Sequence, residues 1–255
     1  MSARELSVGG PMMQQVIFIA DDFGRDAPTN NAIREGHLNG ALHGASLMLG
    51  QPGTEQAIEI ARDHPGLRLG WHIHLCDSTP ATFGSWPWGR SPLMAGLLLA
   101  FFGRRIRAEM SAQWNLFEMS GIPCSFVNSH HHIHAHPAVL QAIGALLPAS
   151  FGGWLRGFNV RPFSRRLPAH ARVLRLVGTR ALARSPLPMR CSDTTWGLDR
   201  LCAMDALEIE AVLPTLGQGL HEFIFHPRGT DDDADFGALI NLRGRVGSAP
   251  HPKRG

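Results

Sequence analysis

The chain has 255 residues, a formal net charge of +3 and 44% hydrophobic residues, which suits one large α/β domain and gives no reason to divide it in two. No apolar run approaches the ~18 residues of a membrane-spanning helix, and Met1 to Gln15 lacks the basic-then-apolar order of a secretory signal, so a cytoplasmic protein is expected. Cys76, Cys124, Cys191 and Cys202 share no CxxC spacing, so neither a zinc knuckle nor a disulfide framework is indicated.

In chain order, Val16 to Ala20 reads as a buried strand that runs out at Asp21-Asp22, and Asp26-Ala27-Pro28-Thr29 opens a helix. Ala45 to Leu49 and Glu55 to Asp63 repeat the β-then-α order, and Leu67 to Leu75 is a third strand. An irregular stretch rich in Pro, Gly and Trp, Asp77 to Pro92, precedes a long helical segment reaching Ser120. A strand over Ser125 to Asn128, a helix over Ala138 to Leu147, and strand-like runs at Gly157 to Val160 and Glu222 to Phe225 complete the pattern. Such alternation predicts a parallel sheet, closed or nearly closed. Residues 1–14 and 241–255 carry little apolar periodicity and read as a disordered extension and a disordered tail around a single domain over 15–240.

Charge is unevenly distributed. No Asp or Glu occurs between Glu118 and Asp193, whereas Arg156, Arg161, Arg165, Arg166, Arg172, Arg175, Arg180, Arg184 and Arg190 all do. Such a region suits an anionic partner, or equally a solvated helix face balanced by acids elsewhere. It lacks interleaved stacking aromatics, which argues against nucleic acid.

Four strand ends carry titratable side chains. Asp21 and Asp22 face opposite ways from an extended backbone, so one can bind metal while the other serves as a general base; an Asp-Asp turn before a helix is the plainer use. In Gly70-Trp71-His72-Ile73-His74-Leu75 the period of two places His72 and His74 on one face, and either imidazole can reach a central ion. In Asn128-Ser129-His130-His131-His132-Ile133-His134-Ala135-His136-Pro137 an extended backbone groups His130, His132, His134 and His136, whereas a helix pairs His130 with His134. Pro137 opens the next helix and favours the extended reading through His134, with at least one of these histidines a metal ligand. Glu222-Phe223-Ile224-Phe225-His226-Pro227 is another apolar strand ending in a titratable group, and His226 suits proton donation near neutral pH.

Ala20-Asp21-Asp22-Phe23-Gly24, Gly70-Trp71-His72, Asn128 to His134 and Phe225-His226-Pro227, in this order, resemble the YdjC/ChbG family of carbohydrate deacetylases, from about Val16 to Pro227. Ala45-Ser46-Leu47-Met48 and the stretch containing Pro65-Gly66-Leu67 are similar to its hopanoid-associated HpnK-like branch. The resemblance implies a distorted (β/α) TIM-like barrel that removes N-acetyl groups from amino sugars of N-acetylglucosamine type, free or carried on a hopanoid lipid. It implies one divalent ion held by Asp22, His72 and His130, with Asp21 as general base, His226 as proton donor and His134 near the site. His74, also placed near the site, stands where the family commonly has an apolar residue. Two imidazoles and a carboxylate leave open coordination positions and suit zinc, whereas magnesium is the ion usually given for the family.

A lipid-carried sugar would give a use to Leu93 to Phe102 followed by Arg104-Arg105, and to the Arg-rich segment Arg161 to Arg184, as peripheral membrane contacts. The reading favoured from sequence is a buried helix for the first and its solvated neighbour for the second. Two rival functions remain: a metal-dependent phosphoesterase on a similar barrel, which lacks a glycine-rich phosphate cradle here, and a His-rich metal-binding accessory protein, which would not need Asp21, Asp22 and His226 at separate strand ends. Oligomeric state stays open, a homodimer included.

Overall fold

The computed structural model describes residues 14–243 except 40, 164, 165, 186, 188 and 201. Its strands are β1 (Gln14–Phe23), β2 (Gly44–Leu47), β3 (Arg68–Ile73), β4 (Cys124–Ser129), β5 (Trp154–Leu155), β6 (Val160–Arg161), β7 (Arg190–Cys191), β8 (Thr194–Trp196) and β9 (Gly219–Phe225). All pair in parallel in one curled sheet of order β6-β8-β9-β1-β2-β3-β4-β5-β7, the arrangement of a distorted TIM-like barrel. Helices α1 (Ala27–Leu38), α2 (Thr54–Asp63), α3 (Pro92–Leu98), α4 (Gly103–Met119), α5 (Pro137–Leu146), α6 (Ala169–Arg184), α7 (Ala206–Val212) and α8 (Ala234–Asn241) join them.

The central strands are apolar on both faces because barrel interior and helices cover them, which is why Ile17-Phe18-Ile19-Ala20 and Phe223-Ile224-Phe225 run without polar alternation. β1 and β9 pair in unbroken register from Gln14 and Gly219 to Ala20 and Phe225. Against β2 the register of β1 shifts between Ala20 and Phe23, so the strand bulges where the two aspartates lie. Close packing of β3 on β4 depends on Gly70, whose added Cβ would lie 2.2 Å from the Phe126 ring. The Thr29 amide donates to Asp26 Oδ1 at 2.9 Å, and Pro28 sits in the first turn, so α1 starts where its sequence signals place it.

Helix α6 occupies much of the Arg-rich segment, and β5 to β8 are strands of two or three residues that carry too little periodicity to be read in advance. The buried-helix reading of Leu93 to Phe102 is corrected. Only Ala95 and Leu99 are fully buried, while Leu93, Met94, Leu97 and Phe101 face solvent along α3 and a following 3-10 turn, Leu99–Phe102. Of the expected tail, α8 runs through Asn241 and Leu242 is buried, while 244–255, like 1–13, lies outside the described residues. All four cysteines are free thiols. Among the described residues no helix is long and apolar enough to cross a membrane.

Candidate active site and metal centre

The β1 bulge separates the two aspartates. Asp22 takes a left-handed conformation, φ 65°, which turns its carboxylate to one side while Asp21 stays buried in the barrel. His72, near the end of β3, sets its Nδ1 2.6 Å from Asn128 Oδ1. The Asn128 amide group donates to Asp21 Oδ1 and Ser46 Oγ, so its oxygen faces the ring and accepts the Nδ1 proton. This fixes the tautomer: the Nε2 lone pair is left free, 3.3 Å from Asp22 Oδ1. His130, the first residue after β4, brings Nδ1 to 2.8 Å from the same oxygen.

Ligand atoms of Asp22, His72 and His130 all lie within 4.8 Å of one another. Among the described residues Asp22 Oδ1 and His72 Nε2 are buried without a hydrogen-bond partner, and the close His130 approach lacks the alignment of a bond. Orphaned acceptors aimed at one point are costly unless a cation joins them, so the three side chains fit a divalent ion. Burial alone would raise the Asp22 pKa, but His130 and His72 outweigh it and hold the carboxyl well below its ordinary range. Burial would lower His72; Asp21 and Asp22 reverse this and raise it. Asp77, His130 and His131 form a second group with ligand-like spacing, but Asp77 already faces Arg90 at 2.5 Å and Arg25 at 3.8 Å.

Asp21 is clamped by Arg156, a fully buried arginine whose Nη1 and Nη2 donate to Oδ2 and Oδ1 at 2.5 and 2.8 Å. Arg156 Nε donates to Glu222 Oε1 at 2.8 Å, and Ser46 Oγ adds a 2.7 Å bond to Asp21. Burial pushes the Asp21 carboxyl up, but Arg156 more than offsets this and holds it far below the carboxylate range. His226, one residue beyond β9, places Nε2 3.7 Å from Asp21 Oδ2 and is tethered by its amide to Asp235 Oδ2 at 2.6 Å. Five titratable groups from β1, β3, β4 and β9 thus meet at the carboxyl edge of the sheet, where parallel barrels carry their chemistry.

A family model described as YdjC-like protein matches residues 15–245. The chain belongs to the YdjC-like family. Curated relatives include a carbohydrate deacetylase of Brevibacillus brevis (strain 47), 34% identical over 133 residues, which are 51% of this chain and 54% of that one. Another, from Vibrio campbellii, is 31% identical over 140 residues, 51% of this chain and 53% of the relative. The chain therefore spans about half the length of the curated relatives it matches. A solved structure from Enterococcus faecalis V583, described as a cellobiose-phosphate cleavage protein, superposes with a TM-score of 0.62 at 20% identity, covering 93% of this chain and 87% of that one. At that identity the likeness speaks for the fold alone.

Two expectations for this YdjC-like chain are corrected. The His tract is not extended: β4 stops at Ser129, and His131 and His132 take left-handed φ of 51° and 55° inside a 3-10 turn, His130–Ala135. Ser129 Oγ accepts from the His134 amide and lies 2.6 Å from its Nδ1, closing the turn. His130 therefore faces Asp22, while His134 stacks on Phe158 and sets Nε2 3.2 Å from the Arg156 carbonyl, beside the clamp rather than among the ligands. Burial and the Arg156 charge push its pKa down to about 3. His136 leaves the group to cap α5, accepting from the Ala138 amide.

His74 does not join His72 among the grouped ligand atoms. β3 ends at Ile73, and the His74 ring turns to the Leu49 carbonyl (Nε2, 2.8 Å) and Ser78 Oγ (Nδ1, 2.9 Å). Burial pushes its pKa down to about 4, so it is a neutral structural histidine. Sequence reasoning missed Arg156, Glu222, Asn128 and Ser46. Arg156 had a signal, since it directly follows the apolar pair Trp154-Leu155, and Glu222 sits in an otherwise apolar strand. A charge there needs a buried partner.

Proposed function

We propose that the chain is a metal-dependent N-deacetylase acting on an acetylated amino sugar of N-acetylglucosamine type. One observation carries the reading: unpartnered Asp22 Oδ1 and His72 Nε2 converge with His130 beside the Asp21–His226 pair. Membership of the YdjC-like family and the names of the curated relatives support the reaction class.

Asp22, His72 and His130 would hold the ion, with zinc favoured on ligand preference and magnesium the other ion to test. When bound there, the ion would polarise the acetyl carbonyl and lower the pKa of water. Water adds to the carbonyl carbon, the C–N bond breaks, and acetate and a free amine leave. Asp21 accepts the water proton and His226 gives one to the departing nitrogen. Because Arg156 lowers the proton affinity of Asp21, that carboxylate passes its proton on rather than storing it, and His226, 3.7 Å away, is the group in place to take it.

The test is acetate release by metal-reconstituted protein from diacetylchitobiose and from N-acetylglucosaminyl hopanoid, the two arms separating a free from a lipid-carried sugar. The Asp21→Asn variant should keep its metal and lose turnover. Near-normal rates in Asp21→Asn would remove the base assignment, and acetate from neither substrate would remove the substrate class.

A further inference from the structure

We infer that α6 and the α3 segment form a basic, apolar face that docks on an anionic lipid bilayer, with the site turn His130–Ala135 between them. The inference stands on exposure and charge and does not rest on the proposed reaction.

Helix α6 turns small residues inward. Ala171, Gly178 and Ala181 are buried, and a Cβ on Gly178 would meet the Phe158 ring at 2.2 Å. Outward, at the i, i+3, i+4 spacing of one helix face, stand Val173, Leu176 and Val177, 59%, 51% and 49% exposed. Arg172, Arg175 and Arg180 line, together with Val173 and Leu176, a groove of about 900 Å³. On the other element Leu93, Leu97 and Phe101 are 72%, 60% and 81% exposed, with Arg104 and Arg105 directly after them. Neither segment contains an acid: none lies between Asp77 and Glu109, or between Glu118 and Asp193.

An apolar stripe flanked by arginine alone is the composition of a helix that lies in a membrane interface, its apolar side chains entering the acyl boundary and its guanidinium groups at the phosphates. Charge decides among occupants. A second copy of this chain would press arginine against arginine, whereas an anionic bilayer complements both features. Location adds function: α3 and α6 both pack against the His130–Ala135 turn, and Phe158, which fills the space over Gly178, stacks on His134 at 4.5 Å. Both segments of the proposed face are thus neighbours of the candidate site.

The experiment is co-sedimentation of the full chain with vesicles of phosphatidylcholine alone and of phosphatidylcholine with about a third phosphatidylglycerol, at low salt and at about 0.5 M salt. Binding is expected to the anionic vesicles only, reversed by salt. At low salt, Arg175→Glu with Arg180→Glu should lower the partition coefficient more than about tenfold, and Phe101→Ser with Leu176→Ser should lower it as well. All four positions are exposed, so an unchanged urea midpoint serves as the folding control. Failure of wild type to bind anionic vesicles, or equal binding by both double variants, would overturn the inference. So would a dimer in sedimentation equilibrium that Phe101→Ser with Leu176→Ser dissociates, since the face would then belong to a second copy.

Discussion

Replacing Arg156 with methionine keeps most of the side-chain volume and removes the cation that touches Asp21 and Glu222 together. Both carboxylates are fully buried, and among the described residues Asp21 Oδ2 then keeps the His226 ring at 3.7 Å. Removing one partner from a buried pair costs about 3–5 kcal/mol, because an uncompensated charge stays behind. The pH dependence gives a sharper test than the loss itself. In the wild type the Asp21 pKa is depressed, so its contribution is complete above the unfolded value near ~3.9 and is lost only as pH falls below that. In the variant burial, the largest influence on Asp21, acts without the arginine and raises its pKa. Protonation then relieves the buried charge, so the stability gap to wild type should narrow as pH drops from about 7.5 to about 5. Urea unfolding at both pH values, with the m-value checked for constancy, measures this. A gap under about 1 kcal/mol at the higher pH, or one that stays equal at both, would refute the clamp as described.

The metal assignment predicts one divalent ion per wild-type chain by elemental analysis after dialysis, and loss of most of it in Asp22→Asn and His130→Ala; retention by both would move the ion elsewhere. For His74 the folded pKa of about 4 lies below its ordinary value of 6.5, so the unfolded chain binds more protons between those values and stability rises with pH across that window. His74→Gln should flatten the slope, by at most about 3 kcal/mol over the window, as read from urea midpoints at pH steps. Gly70→Ala should destabilise by about 1–3 kcal/mol through the Phe126 clash, and Phe126→Leu in the same chain should recover part of that. Equal costs in the single and double variants would mean that the strand shifts instead.

Much of the architecture and half of the site are legible from local pattern, and the division has a physical cause. A strand that ends in Asp21-Asp22, His72, Asn128-Ser129-His130 or His226 announces itself, because the apolar run and the titratable group are neighbours in the chain. The Asp21–Arg156 bond joins residues 135 positions apart, and β5, whose end carries Arg156, has two residues. No periodicity can show a strand so short. Nor does the period of two survive a strand end: β3 stops before His74, whose ring bonds the Leu49 carbonyl and Ser78, and the His tract leaves the sheet through two histidines in left-handed backbone, a conformation that sequence does not advertise in a non-glycine residue.

Counting charge along the chain treats every arginine of the acid-free segment alike, yet they serve opposite ends. Arg156 lies in the centre of the barrel, neutralised by Asp21 and Glu222 from strands that pair with each other. Arg172, Arg175 and Arg180 stand outside on α6 beside exposed Val173 and Leu176. What separates them is the local apolar pattern: Arg156 closes a run that the sheet buries, whereas the α6 arginines punctuate a helix whose fully buried residues are alanine and glycine. Small inward residues bring α6 close to the barrel, where Leu174 and Leu182 also pack, and leave Val173, Leu176 and Val177 on the surface. The same packing that seats Phe158 over His134 thus produces the exposed stripe, so the candidate site and the outer face are shaped by one set of contacts.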